Sequence, residues 1–385
     1  MSVSSGTETM WGVAMVRLNR AQQQQRTRAA VRAAAHAEFA EHGYTEARVD
    51  RIAERAELTR GAVYSNFPSK RALYLAVLLD IVERDGPEQR AAEQAPAGVT
   101  EPAAALGAFA RVWLERLPLF GDTPAHGHLQ LRSLTGVLDD EPARTALAQL
   151  TRLESLLFAL ALESCARTRS RVERRVRLAE LVLTLLDGVG HLAESAAAFG
   201  DPFDVAAACE HLDGLDLPDI WDPPYLPFVT PAEPCRDAWT PPPDVSDQIS
   251  GRPIGLGSDG VLAVLGTQRL AAAEEAVRAA RPGDRVTVVV VTADHAEVGR
   301  LVRLRLTDIA GSLRRVFAPI DQPRLRVVVD DGGLIAAAAD VPDPDDATEA
   351  AVRIKDGAII ARAQGRGAAH AAATAAAGGG TQAGT

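Results

Sequence analysis

The sequence is poor in cysteine and lysine and has no long apolar run. Its three cysteines, Cys165, Cys209 and Cys235, are widely spaced and odd in number, so they predict buried inert thiols and no disulfide framework. A redox switch of Cys165 and Cys209 is the less favoured interpretation. Lysine occurs at two positions beside abundant arginine, which we interpret as a bias of the encoding genome. The longest apolar runs, such as residues 156–162, are far shorter than the ~20 residues of a membrane-spanning helix, so no membrane segment is expected.

The N-terminus has no basic start followed by an apolar core, so we expect no signal peptide. Met15 is an equally good start for the chain, and residues 1–20 are expected to be a disordered extension. Together with the cysteine usage, these features predict a protein of the bacterial cytoplasm.

Charge is unevenly distributed along the chain. The formal net charge of -10 argues against a protein that coats nucleic acid nonspecifically. From Val16 to Arg90, however, thirteen Lys and Arg stand beside ten Asp and Glu, so this segment is mildly basic inside an acidic molecule. Such asymmetry fits one DNA-reading face on a body that repels DNA elsewhere.

Residues 43–70, GYTEARVDRIAERAELTRGAVYSNFPSK, are the most informative segment of the chain. They predict two short helices around a tight turn, with a further helix starting at Ser69. Small and branched apolar residues give the first short helix an inner face. The turn at residues 57–59 places Leu58 as a buried plug between the helices.

Thr59 is a natural N-cap for the second short helix, Arg60–Asn66, because its hydroxyl can accept from the backbone N–H groups of Gly61 or Ala62. This helix is too short to be stable alone. Packing of Phe67 and its apolar neighbours would hold it against the scaffold and leave its polar side chains outward. A short helix with a free N-terminus and outward polar groups suits entry into a DNA major groove.

Residues 26–79 resemble the N-terminal DNA-binding domain of the TetR family of transcriptional regulators. The family pattern has a long first helix ending near Gly-Tyr or Gly-Phe, then Ile-Ala, then a helix-turn-helix that closes on Tyr-x-x-Phe-x-x-Lys. The chain departs from it at Glu57, where a glycine is usual and a left-handed backbone costs more. It also has Ala47-Arg48 where a threonine or serine pair usually caps the second helix. The matching residues are Phe39, Gly43, Tyr44, Ile52, Ala53, Thr59, Arg60, Gly61, Tyr64, Phe67, Ser69 and Lys70.

The resemblance and the side-chain chemistry together imply the DNA contacts of a domain at residues 21–92. Lys70 and Arg48 would neutralise phosphates, as would the backbone N–H groups at the start of the fourth helix. Tyr64 would meet phosphate or sugar, while Thr59, Arg60 and Ser65 are candidates to reach base edges. The alternative, that the aromatic residues are simply core, is preferred for Phe67 and not for Tyr64. The predicted DNA-binding residues are Arg48, Thr59, Arg60, Gly61, Tyr64, Ser65, Asn66 and Lys70.

Residues 100–217 have an almost entirely helical pattern, with apolar residues three and four apart. The last two predicted helices, 174–199 and 201–212, are apolar over a wider arc than one neighbouring helix would cover, which points to a partner. In the TetR family the last two helices of this domain form a four-helix dimer interface, so the resemblance implies a homodimer through residues 174–212. The residues suited to this interface are Leu178, Leu181, Val182, Leu185, Leu186, Val189 and Leu192.

The TetR family uses this helical domain to bind a small effector, whose identity the sequence does not give. His126-x-His128 has the spacing of a metal pair, but no third ligand is placed, so an exposed loop pair is preferred. Asp187 and His191 stand four apart on one helix face, where they can simply pair. The polar residues that could face an effector cavity are His126, His128, Gln130, Arg132, Asp187 and His191, of which we select His128, Arg132, Asp187 and His191.

The C-terminal part changes character after a segment at residues 218–252 that is rich in Pro and Asp and typical of a linker. Residues 253–367 predict strand, helix, strand, helix, then further strands and a final helix, which indicates an α/β sandwich. Within it, residues 334–339 are predicted to be a strand and residues 351–363 a hairpin. Residues 368–385 are predicted to be a fraying helix and then a disordered tail.

This order resembles a thioredoxin-like domain of the peroxiredoxin or thiol-reductase kind. The segments that carry the resemblance are VLAVLGTQRLAAAEEAV, RLRVVVDDGGLIAAAADV and AAVRIKDGAIIARAQG. It places the two redox-cysteine positions at Leu270 and Ala273 and the cis-proline near Thr348, so every reactive group is missing. Such a domain would serve binding or packing; an unrelated small α/β domain is the alternative.

We therefore predict an all-α TetR-like regulator followed by a smaller α/β domain. It is expected to be a dimeric repressor that binds a palindromic double-stranded operator and is released by a small-molecule effector. No cofactor, metal or enzymatic activity is expected, because residues after 250 offer no cysteine, paired acid and base, or phosphate-cradling motif. A redox or other enzyme whose C-terminal domain is the active part, or an interaction module there, stays open as an alternative.

Overall fold

The computed structural model shows a helical N-terminal half followed by an α/β domain. Nearly all of the predicted N-terminal extension lies outside the described residues, as does the end of the predicted tail from residue 376. The described residues are 20–92, 99–115, 134, 136–165, 174–195, 200–318 and 324–375.

The helical half closely follows the predicted pattern. The first helix bends at Gly43, whose left-handed φ of 67° costs glycine little because it has no Cβ. Pro102 and Pro202 lie in the first turn of their helices, where the missing N–H has no intrahelical acceptor. The helices in the described residues are α1 (Arg20–Glu46), α2 (Val49–Arg55), α3 (Arg60–Asn66), α4 (Lys70–Ala92), α5 (Pro102–Leu114), α6 (Glu141–Cys165), α7 (Val176–Ser195) and α8 (Pro202–His211).

Helix α6 is the one helix of the described residues that is long and apolar enough to cross a membrane. Within the protein, 61% of its most apolar window is buried. Phe158 on this helix stacks on Phe109 of α5 with ring centroids 4.0 Å apart. The helix therefore has the packing of a core helix in this fold.

The α/β domain is built on a six-stranded sheet of order β1-β8-β7-β4-β5-β6. β4, β5 and β6 run parallel, whereas β7, β8 and β1 are antiparallel to their neighbours. A separate pair, β2 and β3, lies outside this sheet. The strands are β1 (Glu233–Ala238), β2 (Val245–Ser246), β3 (Pro253–Ile254), β4 (Gly260–Gly266), β5 (Arg285–Val291), β6 (Leu325–Val329), β7 (Glu349–Lys355) and β8 (Ala358–Gln364).

Helices cover the two faces of this sheet unequally. The crossovers from β4 to β5 and from β5 to β6 step in the same direction across the sheet, so crossovers of the same hand place both connecting helices on one face. The hydrophobic clusters agree, because Val261, Val288 and alternate residues share one cluster with α9, α10 and α12, while Leu262 and Val289 share the other with α11. The helices of this domain are α9 (Ala272–Ala279), α10 (Val298–Val316), α11 (Leu334–Ala338) and α12 (Ala368–Thr374).

The predicted linker at residues 218–252 is partly built into the sheet, which corrects the domain boundary. Residues 233–238 pair with β8 as its edge strand β1, despite containing a proline and lacking apolar alternation. Trp239 is 6% exposed and its indole N–H donates to the carbonyl of Leu256 at 2.8 Å. An edge strand needs hydrogen bonds on one side only, which explains why sequence alternation did not mark it.

Two further predictions for the α/β domain are wrong in part. Residues 334–338 form helix α11 and not a strand, because the Asp330 carboxylate accepts from the backbone N–H groups of residues 334, 335 and 336. The start of the predicted tail forms α12, whose alanines are buried against the sheet. The hairpin at residues 351–363 is present as β7 and β8, joined through Asp356 and Gly357 with positive φ.

Helix α10 joins the two halves, because it packs on α4, α5 and α6 as well as lying in the core of the α/β domain. Inside this junction the Arg305 guanidinium donates to both carboxylate oxygens of Glu154 on α6, at 2.8 and 2.5 Å. The side chains of this pair are 4% and 1% exposed. The α/β domain is therefore continuous in packing with the helical half.

Candidate DNA-binding surface

Helix α3 is held by the local signals that the sequence contains. The backbone N–H of Ala62 donates to the Thr59 hydroxyl at 3.2 Å, so Thr59 is the N-cap of α3. Glu57 in the preceding turn has a left-handed φ of 55°, as expected where the family usually has glycine. Val63 and Phe67 are 1% and 2% exposed, so they fix α3 to the domain core.

The opposite face of α3 is open to solvent. Thr59, Arg60, Gly61 and Ser65 are exposed, and Tyr64 retains 37% exposure. A Cβ on Gly61 would meet only the Thr59 hydroxyl, at 3.9 Å, so this end of α3 leaves room for a close approach. These five residues form one polar surface of the size that a recognition helix presents to a major groove.

Arg60 has contacts that DNA would have to replace. Its guanidinium lies 3.3 Å from the Asp50 carboxylate and 5.5 Å from the ring centroid of Tyr64. Both partners of the ion pair are about 60% exposed, so solvent screens the pair and DNA can displace Asp50 at little cost. Arg60 is thus held near the surface of α3 without being locked there.

Asn66 is placed differently from the other predicted contacts. It is half-buried, and its amide nitrogen donates to the carbonyl of Ala62 at 2.9 Å. This local bond turns the side chain back along α3 and away from the exposed surface. Asn66 is therefore better suited to ending the helix than to reaching a base.

Arg48 is exposed and occupies the N-cap position of α2, but its side chain makes no capping hydrogen bond. The missing cap is replaced by Glu38 of α1, which is fully buried and accepts from the backbone N–H of Arg48 at 3.0 Å. The same carboxylate oxygen accepts from Arg51 at 2.6 Å. Sequence reasoning missed Glu38; a carboxylate on the apolar face of α1 was the available signal.

Lys70 closes the corner between α1 and α4. Its ammonium donates to the carbonyl of Thr45 at 3.0 Å and lies 4.8 Å from the ring centroid of Tyr44. Partial burial lowers the pKa of Lys70. The ammonium has three donors, so this bond leaves capacity for a phosphate at the same position.

The proposed effector residues are only partly described by the structure. His128 and Arg132 lie outside the described residues, as do His126 and Gln130. Asp187 is half-buried, and its charge adds to the rise that burial causes in the pKa of Glu154, whereas His191 is exposed. Among the residues that the structure describes, no group of three or more His, Cys, Asp or Glu has the arrangement of a metal site.

The predicted dimer face on α7 is divided by the fold. Leu178, Val182 and Leu186 point into the protein core and are not available to a partner. Leu181 and Leu192 are 37% and 39% exposed. The apolar surface of α7 is thus narrower than the sequence indicated, because α6 already covers one side of the helix.

The three cysteines lie in environments that disfavour the reactive thiolate form. Burial raises the pKa of Cys209 to about 11 and also raises the pKa values of Cys165 and Cys235. Leu270 and Ala273, the two positions aligned with redox cysteines, are fully buried. These environments support the interpretation of inert thiols.

Comparison with protein families identifies the helix-turn-helix. Residues 31–77 match the family model described as bacterial regulatory proteins, tetR family. This range contains α2 and α3 and every predicted DNA-binding residue. Residues 31–77 are therefore similar to the DNA-binding domain of this family. No curated protein matches the chain.

Solved structures of transcriptional regulators are similar to about half of the chain. A regulator from Saccharomonospora viridis in complex with choline is 18% identical and covers 49% of this chain and 95% of its own, with a TM-score of 0.35. E. coli NemR in its reduced form is 20% identical and covers 49% of this chain and 96% of its own, with a TM-score of 0.36. FadR from Bacillus subtilis in complex with stearoyl-CoA is 15% identical and covers 48% of this chain and 96% of its own, with a TM-score of 0.33.

Proposed function

We propose that the protein is a sequence-specific transcriptional regulator that binds a palindromic operator as a homodimer. The observation that carries this proposal is the exposed polar surface of α3, capped by Thr59 and anchored by Val63 and Phe67. The match of residues 31–77 to the tetR family model includes α3 and supports a role of this helix in DNA recognition. Two copies of α3 would then reach successive major grooves of one site.

The contacts divide by chemistry. Arg48, Lys70 and Tyr64 would bind the phosphate backbone and set the register of the domain on the duplex. Arg60, released from Asp50, would donate to a guanine, with Thr59 and Ser65 beside it. The open space over Gly61 would allow the backbone of α3 to lie close to the groove. Asn66 would act on the position of α3 and not on a base.

Dimerisation and release complete the proposal. The exposed leucines of α7, Leu181 and Leu192, would pair with a second copy within residues 174–212. A small effector entering the helical domain near Asp187 and His191, with His128 and Arg132, would release the operator, which makes the protein a repressor in the cytoplasm. The thioredoxin-like origin of the α/β domain stays a prediction, and the burial of Leu270 and Ala273 gives a redox function no support.

The experiment is fluorescence anisotropy of a labelled duplex from upstream of the protein's own gene, at near-physiological salt, against a scrambled duplex. We expect the upstream duplex to bind at least ~10³-fold more tightly. Arg60→Ala should remove about 1–3 kcal/mol of that preference. The matched control is Arg84→Ala, because Arg84 is an exposed arginine on α4 that pairs with Asp80 and lies off the α3 surface. Equal loss in both variants would contradict the assignment of α3.

A further inference from the structure

The α/β domain contacts the start of helix α4 directly. Glu297, at the N-terminal end of α10, accepts hydrogen bonds from the Ser69 hydroxyl and the Arg71 guanidinium. Ser69 is itself the cap of α4, since its hydroxyl accepts from the backbone N–H of Ala72 at 2.9 Å. A carboxylate from the C-terminal domain thus stands at the positive end of the helix that begins with Lys70.

Glu297 is one of two carboxylates at the start of α4. Arg71 pairs with Asp140 as well as with Glu297, so the two carboxylates share one guanidinium beside the helix terminus, and the Arg300 guanidinium acts on Glu297 from the next turn of α10. The side chains of Arg71 and Glu297 are 22% and 15% exposed, so solvent screens them only partly. Lys70, whose ammonium would bind a DNA phosphate, stands between Ser69 and Arg71 in the chain. The same helix terminus therefore attracts two anions, the Glu297 carboxylate and the phosphate.

A second contact fixes Glu297 in this place. The Arg300 guanidinium, one turn further along α10, lies 5.5 Å from the ring centroid of Phe67 and donates to the carbonyl of Ala72 at 3.2 Å. Phe67 is the C-cap residue that follows α3, so α10 contacts the residue that ends the recognition helix and also packs on the next helix, α4. The position of Glu297 is thereby set by packing of the whole α/β domain.

We propose that Glu297 is an internal counter-anion through which the α/β domain restrains DNA binding. The inference rests on the proposed function, because it assigns the start of α4 to a phosphate. The Glu297 carboxylate lies at the positive N-terminus of α4, where the phosphate would bind, and its negative charge repels that phosphate. The α/β domain thereby lowers the affinity of the helix-turn-helix for DNA. Any movement of α10 away from α4 would raise that affinity.

The test measures phosphate binding and needs no knowledge of the operator. Anisotropy of a labelled duplex of arbitrary sequence, at about 50 mM salt where backbone contacts dominate, is titrated with full-length protein. Glu297→Gln should bind at least about threefold more tightly, because threefold is the gain that fully water-like screening would give for one charge at an assumed separation of about 7 Å. The gain should shrink as salt is raised.

Three variants separate charge from structure. Glu297→Asp keeps the charge and should bind like wild type. Glu115→Gln removes an equal charge from the pair with Arg315, about 27 Å along α10 from Glu297, and should leave affinity unchanged. Arg300→Gln breaks the second contact without removing an anion. If α10 acted only as a mechanical latch, Arg300→Gln would tighten binding as much as Glu297→Gln does; we expect no tightening.

Each outcome decides the question. Unchanged or weaker binding by Glu297→Gln, together with weaker binding by Lys70→Gln, would overturn the counter-anion and leave the DNA-binding surface intact. If Lys70→Gln binds like wild type, the start of α4 is not a phosphate site and the counter-anion inference fails, whereas the proposed function is judged separately by Arg60→Ala. Should Glu297→Gln lower the melting temperature, Asp140→Asn replaces it, because asparagine preserves the cap that Asp140 provides to Ala143 while removing the second carboxylate. Asp140→Asn should also bind more tightly, and no tightening would count against the proposal.

Discussion

Replacing Arg305 by methionine would leave the Glu154 carboxylate buried without its partner at the junction of the two halves. The pair is bidentate and its side chains are 4% and 1% exposed, so water cannot replace the lost donors. Breaking a buried ion pair from one side costs about 3–5 kcal/mol. Replacing both residues, as in Glu154→Leu with Arg305→Met, should recover most of that loss because neither member of the ion pair is left buried without the other.

The measurement is equilibrium urea unfolding at pH 8, followed by circular dichroism, for the two single variants and the double variant. Arg315→Met is the matched control, because it lies on the same helix and its partner Glu115 is 53% exposed. An exposed pair contributes roughly 0–1 kcal/mol. The argument is refuted if Arg305→Met costs no more than Arg315→Met, or if the double variant is less stable than Arg305→Met alone.

The same pair predicts a pH dependence of known sign. Burial raises the pKa of Glu154 to about 7, above the value of about 4.3 for an exposed glutamate. The folded state therefore holds this proton more tightly than the unfolded state does. The stabilisation of the fold by protonated Glu154 is fully present below about pH 4 and is lost as the pH rises to about 7. Across that window the unfolding free energy of the wild type should fall relative to that of Glu154→Gln, whose side chain does not titrate. Parallel pH profiles of the two proteins would contradict this assignment.

Three further variants test separate elements of the fold. Glu38→Ala leaves the backbone N–H of Arg48 without its acceptor and should cost about 1–3 kcal/mol, seen as faster amide exchange in α2, and unchanged exchange would contradict the capping role. Asp330→Ala removes the acceptor for three N–H groups of α11 and should cost about 0.5–2 kcal/mol in urea unfolding, whereas wild-type stability would argue against a cap. Leu181→Glu should convert the proposed dimer into monomers in light scattering, and a dimer that persists would place the interface elsewhere.

Local chemistry made the helix-turn-helix predictable. Thr59 could be assigned as a cap because its hydroxyl needs only the next turn of backbone, and Phe67 could be assigned to the core because an aromatic at the end of a short helix has little else to contact. The strain at Glu57 was expected from the family pattern, which usually has a glycine at this position. The Thr59 cap depends on residues fewer than five positions away, and the burial of Phe67 was indicated by its own apolar ring.

Features that depend on distant partners were not predictable. The run at residues 334–339 is apolar throughout, so it shows neither the apolar spacing of an amphipathic helix nor the alternation of a strand. Only the cap from the Asp330 carboxylate decides that it is a helix. Residues 233–238 become a strand only because β8 offers them a free edge. Glu297 and Arg300 looked like ordinary charges of a surface helix; their role requires α4, more than two hundred residues earlier in the chain.

The position of α10 also has a consequence in time. The surfaces of α4, α5 and α6 that α10 covers are complete once residue 165 is synthesised, whereas α10 ends at residue 316. At bacterial rates of about 5–20 residues per second, roughly 8–30 s pass before the cover leaves the ribosome. During that interval the nascent helical half carries an unshielded apolar face and an unpaired Glu154. Conditions that slow translation between these two points should therefore favour aggregation of this chain over folding.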